Sequence, residues 1–286
     1  MPAFNEEKNI ASLIVNIQKL GYKVLICDDA STDLTGKIAE KLGAIVVRHE
    51  RNLGYGGAIQ SLFTKARELN VDILVTFDAD GQHDFNDIKK LILPISENKA
   101  DLVIGSRFLE QKSSMPKYRE IGIKTLTKLA NAAIDEDVSD SQSGLRAYNK
   151  KTIQNIFPSE DAMGVSTEIL IKAAQNKSRI VEVPVVVSYE GDTSTHNPAV
   201  HGLSVLGTTI KIISIKHPMM FYGIPGLFFI GLGLIFSLLA LGSFANTRTI
   251  VTNQALIAIG STVVGLVLIM TAVMLFSIIS VVRERR

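Results

Sequence analysis

The sequence predicts an α/β domain built on a doubly wound, mostly parallel sheet, followed by two membrane-spanning helices. Three observations carry that expectation. Over residues 1–200, apolar residues at helical spacing alternate with short continuous apolar runs. Polar and glycine-rich motifs stand where those runs end, the place where doubly wound sheets bind ligands. After Pro218, Arg248 is the sole charged residue before Arg283, so a water-soluble part gives way to an apolar one.

The elements follow in order. Ile10, Leu13, Ile14, Ile17 and Leu20 recur at helical spacing, with Asn5 as the expected N-cap and Glu6 and Glu7 in the first turn. Val24 to Cys27 reads as a strand, Leu34 to Leu42 as a helix and Ala44 to Val47 as a short strand. A glycine-punctuated loop, Asn52 to Gly57, leads into a helix that reaches Leu69. Ile73 to Phe77 is an uninterrupted apolar run, as a strand covered on both faces requires. A helix over Asp87 to Ser96 precedes the strand Leu102 to Ile104. Two further helices are expected, near Ile121 to Ile134 and Ser166 to Gln175. The last strand, Ile180 to Val187, is interrupted by Pro184 and therefore bent or at an edge.

Residues 201–217 read as an amphipathic helix at a membrane surface, with Lys211 and Lys216 beside apolar residues between Leu203 and Ile215. Residues 218–286 hold two apolar spans, at 219–245 and 254–282, each longer than the ~20 residues that cross a ~30 Å hydrocarbon core. Lys211, Lys216, Arg283, Arg285 and Arg286 flank the outer ends of the pair, against Arg248 alone in the turn. The positive-inside rule puts both termini and the soluble domain on the cytoplasmic side of a bilayer.

Composition excludes several classes. The net charge of +2 gives no footprint for nucleic acid. Cys27 is the single cysteine, so the chain holds neither an internal disulfide nor a cysteine metal cluster. It reads as a small hydrophobe in a strand. His49, His83, His196, His201 and His217 lack metal-ligand spacing. His83 adjoins the aspartate pair described next and reads as structural, while His196 and His201 lie just before the apolar spans. The N-terminus opens on a motif rather than a signal peptide.

Asp78-Ala79-Asp80 follows directly on the strand ending at Phe77. Side chains at i and i+2 of an extended segment point the same way, so both carboxylates face one spot past the sheet edge. Two hard oxygen ligands there suit Mg²⁺ or Mn²⁺ on a diphosphate, and Gln82 continues the spacing. Asp28 and Asp29 end an earlier strand, where carboxylates accept hydrogen bonds from a base or ribose. Asp33 reads instead as the cap of the next helix. Gly54, Gly56 and Gly57 permit close approach of a ligand at a helix N-terminus or serve packing alone.

These motifs occur in a familiar order. Pro2-Ala3-Phe4-Asn5-Glu6-Glu7, Asp28-Asp29-Ala30-Ser31-Thr32-Asp33, Asn52-Leu53-Gly54-Tyr55-Gly56-Gly57-Ala58, Asp78-Ala79-Asp80-Gly81-Gln82-His83, Gly105-Ser106-Arg107 and Gln142-Ser143-Gly144-Leu145-Arg146 are all present. The set resembles glycosyltransferase family two, in its dolichol-phosphate mannose synthase-like branch, across nearly the whole soluble domain. The resemblance implies a GT-A fold over residues 1–200. It implies a nucleotide-sugar donor, a polyprenyl-phosphate acceptor and an Mg²⁺ or Mn²⁺ ion held by Asp78, Asp80 and Gln82. Pro2, Ala3, Asn5, Glu6, Asp28, Asp29 and Gly56 would line the donor pocket. Arg107 and Arg146 would face donor or acceptor phosphates, for which planar guanidinium is well matched. Asp140 and Glu168 are the carboxylates to watch for positioning; Glu168 reads as a helix-surface acid.

A lipid phosphate has its second pKa near ~6, so the implied reaction needs no strong general base, and in-line attack would invert the anomeric carbon. Other readings are a transferase using another lipid-linked acceptor and an inactive nucleotide-sugar-binding subunit. A processive polysaccharide synthase fits poorly, because the chain has no tryptophan and two spans. The pattern leaves a homo-oligomer open. Relatives place an apolar strand before the Pro-Ala-Phe-Asn-Glu motif, so the sequence predicts either an upstream start or a missing central strand. The loop Tyr189 to Ser194 lacks the basic residue that relatives often carry there.

Overall fold

The computed structural model describes residues 1–110, 115–134, 137–160, 164–188, 207, 210, 214 and 217–284. The chain divides into two compact units, Met1–Thr209 and Ile210–Arg286. In the first, β1 (Pro2–Ala3), β2 (Leu25–Asp28) and β3 (Ile45–Arg48) form a parallel sheet in the order β1-β2-β3. β4 (Ile73–Thr76), β5 (Leu102–Ser106), β6 (Arg146–Asn149) and β7 (Ile180–Pro184) form a second sheet in the order β4-β6-β5-β7. β5 and β7 run parallel, whereas β6 is antiparallel to both β4 and β5. The first sheet is thus wholly parallel, and the second is mixed through β6. Pro2–Ala3, inside the first motif, forms the two-residue β1, and the Met1 amine donates to the Leu25 carbonyl at 2.6 Å.

Helices connect the strands. α1 (Ile10–Lys19) buries Ile10, Leu13, Ile14 and Ile17, the stripe that the spacing marks. Its N-cap position is Asn9, not Asn5. α2 (Thr35–Lys41), α3 (Gly54–Glu68) and α4 (Asp87–Ser96) fall where the periodicity puts them. α5 (Lys117–Ile134) and α7 (Val165–Gln175) do as well. Between β6 and α7 lies a short helix, α6 (Lys150–Asn155), which the pattern does not announce; the Asn149 side chain accepts from the Thr152 amide at 2.8 Å to cap it.

One apolar cluster runs through both sheets, from Met1, Ala3, Ile14 and Ile26 to Phe77, Leu91, Val103 and Ala147. On β6, Tyr148 meets Phe63 of α3 edge to face at 5.0 Å. Cys27 is buried, in the place the apolar run assigns it. At the opposite end of the strands from the functional loops, Arg179 clamps Asp101 through Nε and Nη2 at 3.1 and 3.0 Å. That clamp ties the start of β5 to the start of β7.

The second unit holds a π-helical turn (Met219–Gly223), α8 (Ile224–Thr247) and α9 (Thr252–Glu284). Both helices are long and apolar enough to cross a membrane. They pack closely because the contact is glycine-backed: a Cβ on Gly226 would lie 2.7 Å from Ile269 Cγ1, and one on Gly265 2.6 Å from Ile230 Cγ1. Arg248 stops α8 in a left-handed conformation, φ 53°, and donates its amide to the Phe244 carbonyl. The expected juxtamembrane helix over 201–217, with Lys211 and Lys216, lies almost wholly outside the described residues, as do His196, His201 and the Tyr189 to Ser194 loop.

The Arg179 guanidinium holds the Asp101 carboxyl down at about 2. A carboxyl lowered on folding stabilises the fold at pH above its unfolded value of ~4, and that stabilisation is lost as pH falls through its folded value. Arg179→Ala should therefore lower the thermal midpoint at neutral pH, and the gap to the parent chain should narrow as the pH approaches the acid range. A gap independent of pH would contradict the assignment.

Candidate active site

The functional residues gather on loops at the carboxyl ends of the strands. The loop after β1 and the loop after β2 are stitched to each other. Asn5 takes a left-handed conformation, φ 57°, and its Oδ1 accepts from the Thr32 amide at 2.8 Å. The Asn5 amide donates to Ser31 Oγ, the Glu6 amide to Thr35 Oγ1 at 2.8 Å and the Glu7 amide to Asp33 Oδ2 at 3.1 Å. Glu7 returns the contact by accepting from the Leu34 amide at 3.0 Å. Asp33 also takes the Thr35 amide and hydroxyl at 2.9 and 2.6 Å, at the start of α2. Helix starts leave unpaired N–H groups, and these side chains satisfy them.

Asp28 and Asp29 lie at the end of β2, and both make bonds within the protein. Both are buried, at 6% and 4% exposure. Asp28 Oδ1 accepts from the Ser31 amide at 3.0 Å. Asp29 accepts the Leu53 and Gly54 amides, each at 2.8 Å, and His49 Nδ1 at 2.6 Å. His49 Nε2 lies 2.8 Å from Ser61 Oγ. The Asp29 carboxylate thus accepts three bonds from within the protein. It fixes the glycine loop where α3 begins, with Gly54 at φ +80° and Gly56 buried in the first turn.

The aspartate pair lies past β4 in a turn rather than an extended segment. Asp78 Oδ1 accepts from the Tyr55 hydroxyl at 3.1 Å, and Asp78 Oδ2 lies 3.8 Å from His83 Nε2. Gly144 backs this carboxylate: a Cβ there would sit 2.5 Å from Asp78 Oδ2 and 2.9 Å from the Tyr55 oxygen. Asp80 Oδ1 accepts from the Gln82 amide at 3.0 Å. Burial and then the charge of Asp78 push the Asp80 carboxyl up to about 7, with Glu6 adding to the effect. Glu6 is itself raised by burial and by Asp33 and Asp78.

Like charges crowd here, a setting that a divalent cation relieves. Among the described residues no trio of His, Cys, Asp and Glu forms a cage. Two carboxylates with an amide oxygen fit Mg²⁺ or Mn²⁺, which keep positions open for substrate phosphates. The donor set thus suits such an ion.

Arg107 follows β5 and is gripped side-on by Asp140. Nε and Nη2 meet Asp140 Oδ2 and Oδ1 at 2.6 and 2.8 Å, and the Arg107 amide adds a third bond. Asp140 is fully buried, and its carboxylate holds Arg107. Arg146 departs from expectation. Its side chain is 1% exposed, and its Nε, Nη1 and Nη2 donate to the carbonyls of Ser143, Ser166 and Ser141 at 2.9, 2.6 and 2.6 Å. A guanidinium buried under three carbonyls braces the Ser141–Arg146 loop and is not placed to face a phosphate. Glu168 is also buried rather than on the helix surface. It accepts the Ser159 and Glu160 amides and the Ser159 hydroxyl, and Lys172 pairs with it at 2.6 Å.

His83 connects the acidic loop to the arginine corner. Its side chain is 7% exposed, burial depresses its pKa, and both Asp78 and Arg107 act on it electrostatically. Its Nδ1 is buried with no hydrogen-bond partner among the described residues. Motif reading missed Tyr55 and Glu182 as site residues. Tyr55 sits inside the glycine motif, where its hydroxyl gave no chemical signal. Glu182 lies in the last strand, among apolar neighbours and distant in sequence from every motif.

Comparison with known proteins follows from this geometry. A profile described as Glycosyl transferase family 2 matches residues 1–157. A UDP-N-acetylglucosamine–dolichyl-phosphate N-acetylglucosaminyltransferase of Methanococcus voltae is 38% identical over 66% of this chain and 84% of that protein. A dolichyl-phosphate hexose transferase of Haloferax volcanii is 28% identical over 74% of this chain and 91% of that one. In three dimensions, glucosyl-3-phosphoglycerate synthase of Mycobacterium tuberculosis, solved with Mn²⁺, UDP and glucosyl-3-phosphoglycerate, aligns with a TM-score of 0.61. It is 22% identical, over 74% of this chain and 77% of that one. The GT-A-like fold is thereby shown.

Asp29→Asn replaces an acceptor oxygen with an NH₂ that meets an amide N–H. Leaving one such buried donor unsatisfied should cost about 1–3 kcal/mol, read as a lower thermal midpoint. An unchanged midpoint would show that the glycine loop does not depend on Asp29.

Proposed function

The chain belongs to glycosyl transferase family 2, and from that premise we propose that it moves one sugar from a nucleotide-sugar to the phosphate of a polyprenyl (dolichyl-type) lipid. What supports the proposal is a crowded carboxylate pair, Asp78 and Asp80, past β4, with Asp78 held beside Tyr55 and His83, and a guanidinium, Arg107, held side-on by Asp140 past β5. Carboxylates that suit a cation serve a diphosphate leaving group; an oriented guanidinium serves a phosphate. Relatives named for dolichyl-phosphate acceptors support the choice of acceptor.

Chemistry fits those parts. A phosphate oxygen of the lipid attacks the anomeric carbon while the bond from that carbon to the donor diphosphate breaks. The electron pair leaves with the nucleoside diphosphate, and the anomeric configuration inverts. With its second pKa near ~6, the lipid phosphate is already an oxyanion, and the buried Asp140 is not needed as a base. Asp78, Asp80 and Gln82 would hold Mg²⁺ or Mn²⁺, which would neutralise the diphosphate when bound. Tyr55 and His83 orient the Asp78 carboxylate, and Arg107 aligns a phosphate. The loops bearing Pro2, Ala3, Asn5 and Glu6 line the donor side, while Asp28, Asp29 and Gly56 shape it from behind. α8 and α9 cross a bilayer, with both termini and the 1–200 domain on the cytoplasmic side, as the flanking basic residues favour.

Incubating the full chain with polyprenyl phosphate, a panel of nucleotide-sugars and Mg²⁺ or Mn²⁺ tests this reading. One donor should give sugar-labelled lipid, and Asp80→Asn should lower turnover by about a hundredfold or more. Transfer confined to non-phosphorylated acceptors would overturn the acceptor, and full activity in Asp80→Asn would remove the metal assignment.

A further inference from the structure

We propose that Glu182 is a positioning residue for sugar transfer, acting on Arg107 through Asp140; this rests on the phosphate-aligning role given to Arg107 above. Glu182 lies on β7, directly opposite Ile104 of β5 in the parallel register. Three residues beyond Ile104, the chain reaches Arg107. The Glu182 carboxylate gathers a loop that holds that arginine. Oε2 accepts from the Ser139 amide at 2.8 Å, and Oε1 accepts from the Asp140 amide and the Ser139 hydroxyl, each at 3.0 Å.

Two consecutive amides converging on one carboxylate leave the Ser139–Asp140 backbone little rotational freedom. The next link is the Asp140 side chain, which takes Arg107 by Nε, Nη2 and the backbone amide and also accepts from the Gln142 amide at 3.2 Å. A second tie closes the loop: Ser139 Oγ lies 2.6 Å from Ser106 Oγ, and Ser106 precedes Arg107 in β5. β5 and β7 therefore hold Arg107 from both sides, one by the chain and the other by two carboxylates in series.

The chemistry explains why Glu182 is a carboxylate. Both of its oxygens accept, and no position around it asks for a donor. In Glu182→Gln one oxygen becomes an NH₂ that opposes either the Ser139 amide or the Asp140 amide. The loop must then shift, and the plane of the Asp140 carboxylate shifts with it. Planar side-on pairing with a guanidinium tolerates such rotation poorly. Glu182 is bonded to the Ser139–Asp140 backbone, and it is Asp140 that bonds Arg107, so the effect of Glu182 on the reaction would run through Arg107.

A double-mutant cycle on the full chain separates that route from a general loss of structure. The probes are polyprenyl phosphate and the donor identified by the screen. Glu182→Gln should lower kcat/KM for polyprenyl phosphate on the order of ten- to a hundredfold, because a displaced aligning group costs that much. Its KM for the donor should stay near the parent value. Glu182→Gln combined with Arg107→Ala should be no worse than Arg107→Ala alone. Glu182→Asp, which keeps both oxygens, should recover part of the loss, and it replaces Glu182→Gln in the cycle if that variant does not fold. Additive losses, or a Glu182→Gln enzyme equal to the parent, would overturn the proposal while leaving the role of Arg107 intact. Full activity in Arg107→Ala would instead overturn the phosphate-aligning reading itself.

Discussion

The site depends on buried and half-buried carboxylates that accept backbone N–H groups from loops. At the ends of parallel strands the chain leaves the hydrogen-bonded ladder, and its amides must find other partners or pay for desolvation. Asp29 takes two amides of the glycine loop, Glu168 takes two amides near Ser159, and Glu182 takes two from Ser139 and Asp140. Arg146 performs the complementary task by donating to three carbonyls. Each of these side chains replaces a piece of secondary structure. Charged groups suit the task, because charge-assisted bonds are shorter and stronger than neutral ones.

A division of labour follows. Carboxylates that are fully committed, such as Asp29 and Asp140, set geometry. Those with weaker internal partners, Asp78 and Asp80, carry the electrostatic demand: burial and mutual repulsion push Asp80 up to about 7. The first group lets the second remain crowded, since the loops cannot relax to separate the charges. Arg107 is oriented by Asp140, while His83 lies beside Asp78.

Much of the fold was legible from periodicity, because helices such as α1 and α4 bury a single stripe that spacing reveals. β6 was not. Its residues, Arg146 to Asn149, begin inside a motif that reads as chemistry, and only the register with β4 and β5 makes them a strand. The site was legible by residue type but not by role. Arginine and aspartate bind phosphate and metal in open loops, yet the same types brace loops when buried, and a linear sequence carries no measure of depth. Arg146 and Asp29 show this: their types stand in the sequence, while their burial and internal bonds appear only in the fold. Tyr55 and Glu182 matter through contacts 23 and 42–43 residues away, which no local pattern encodes.

The central claim is that these loops present a cation-suited carboxylate pair and an oriented guanidinium to a departing nucleoside diphosphate. The most direct measurement is the identity and yield of the nucleotide released as polyprenyl phosphate is consumed, followed by phosphorus NMR. Nucleoside diphosphate should appear, one equivalent for each lipid that gains a sugar, with the lipid keeping a single phosphate. Release of nucleoside monophosphate, with a diphosphate left on the lipid, would contradict it.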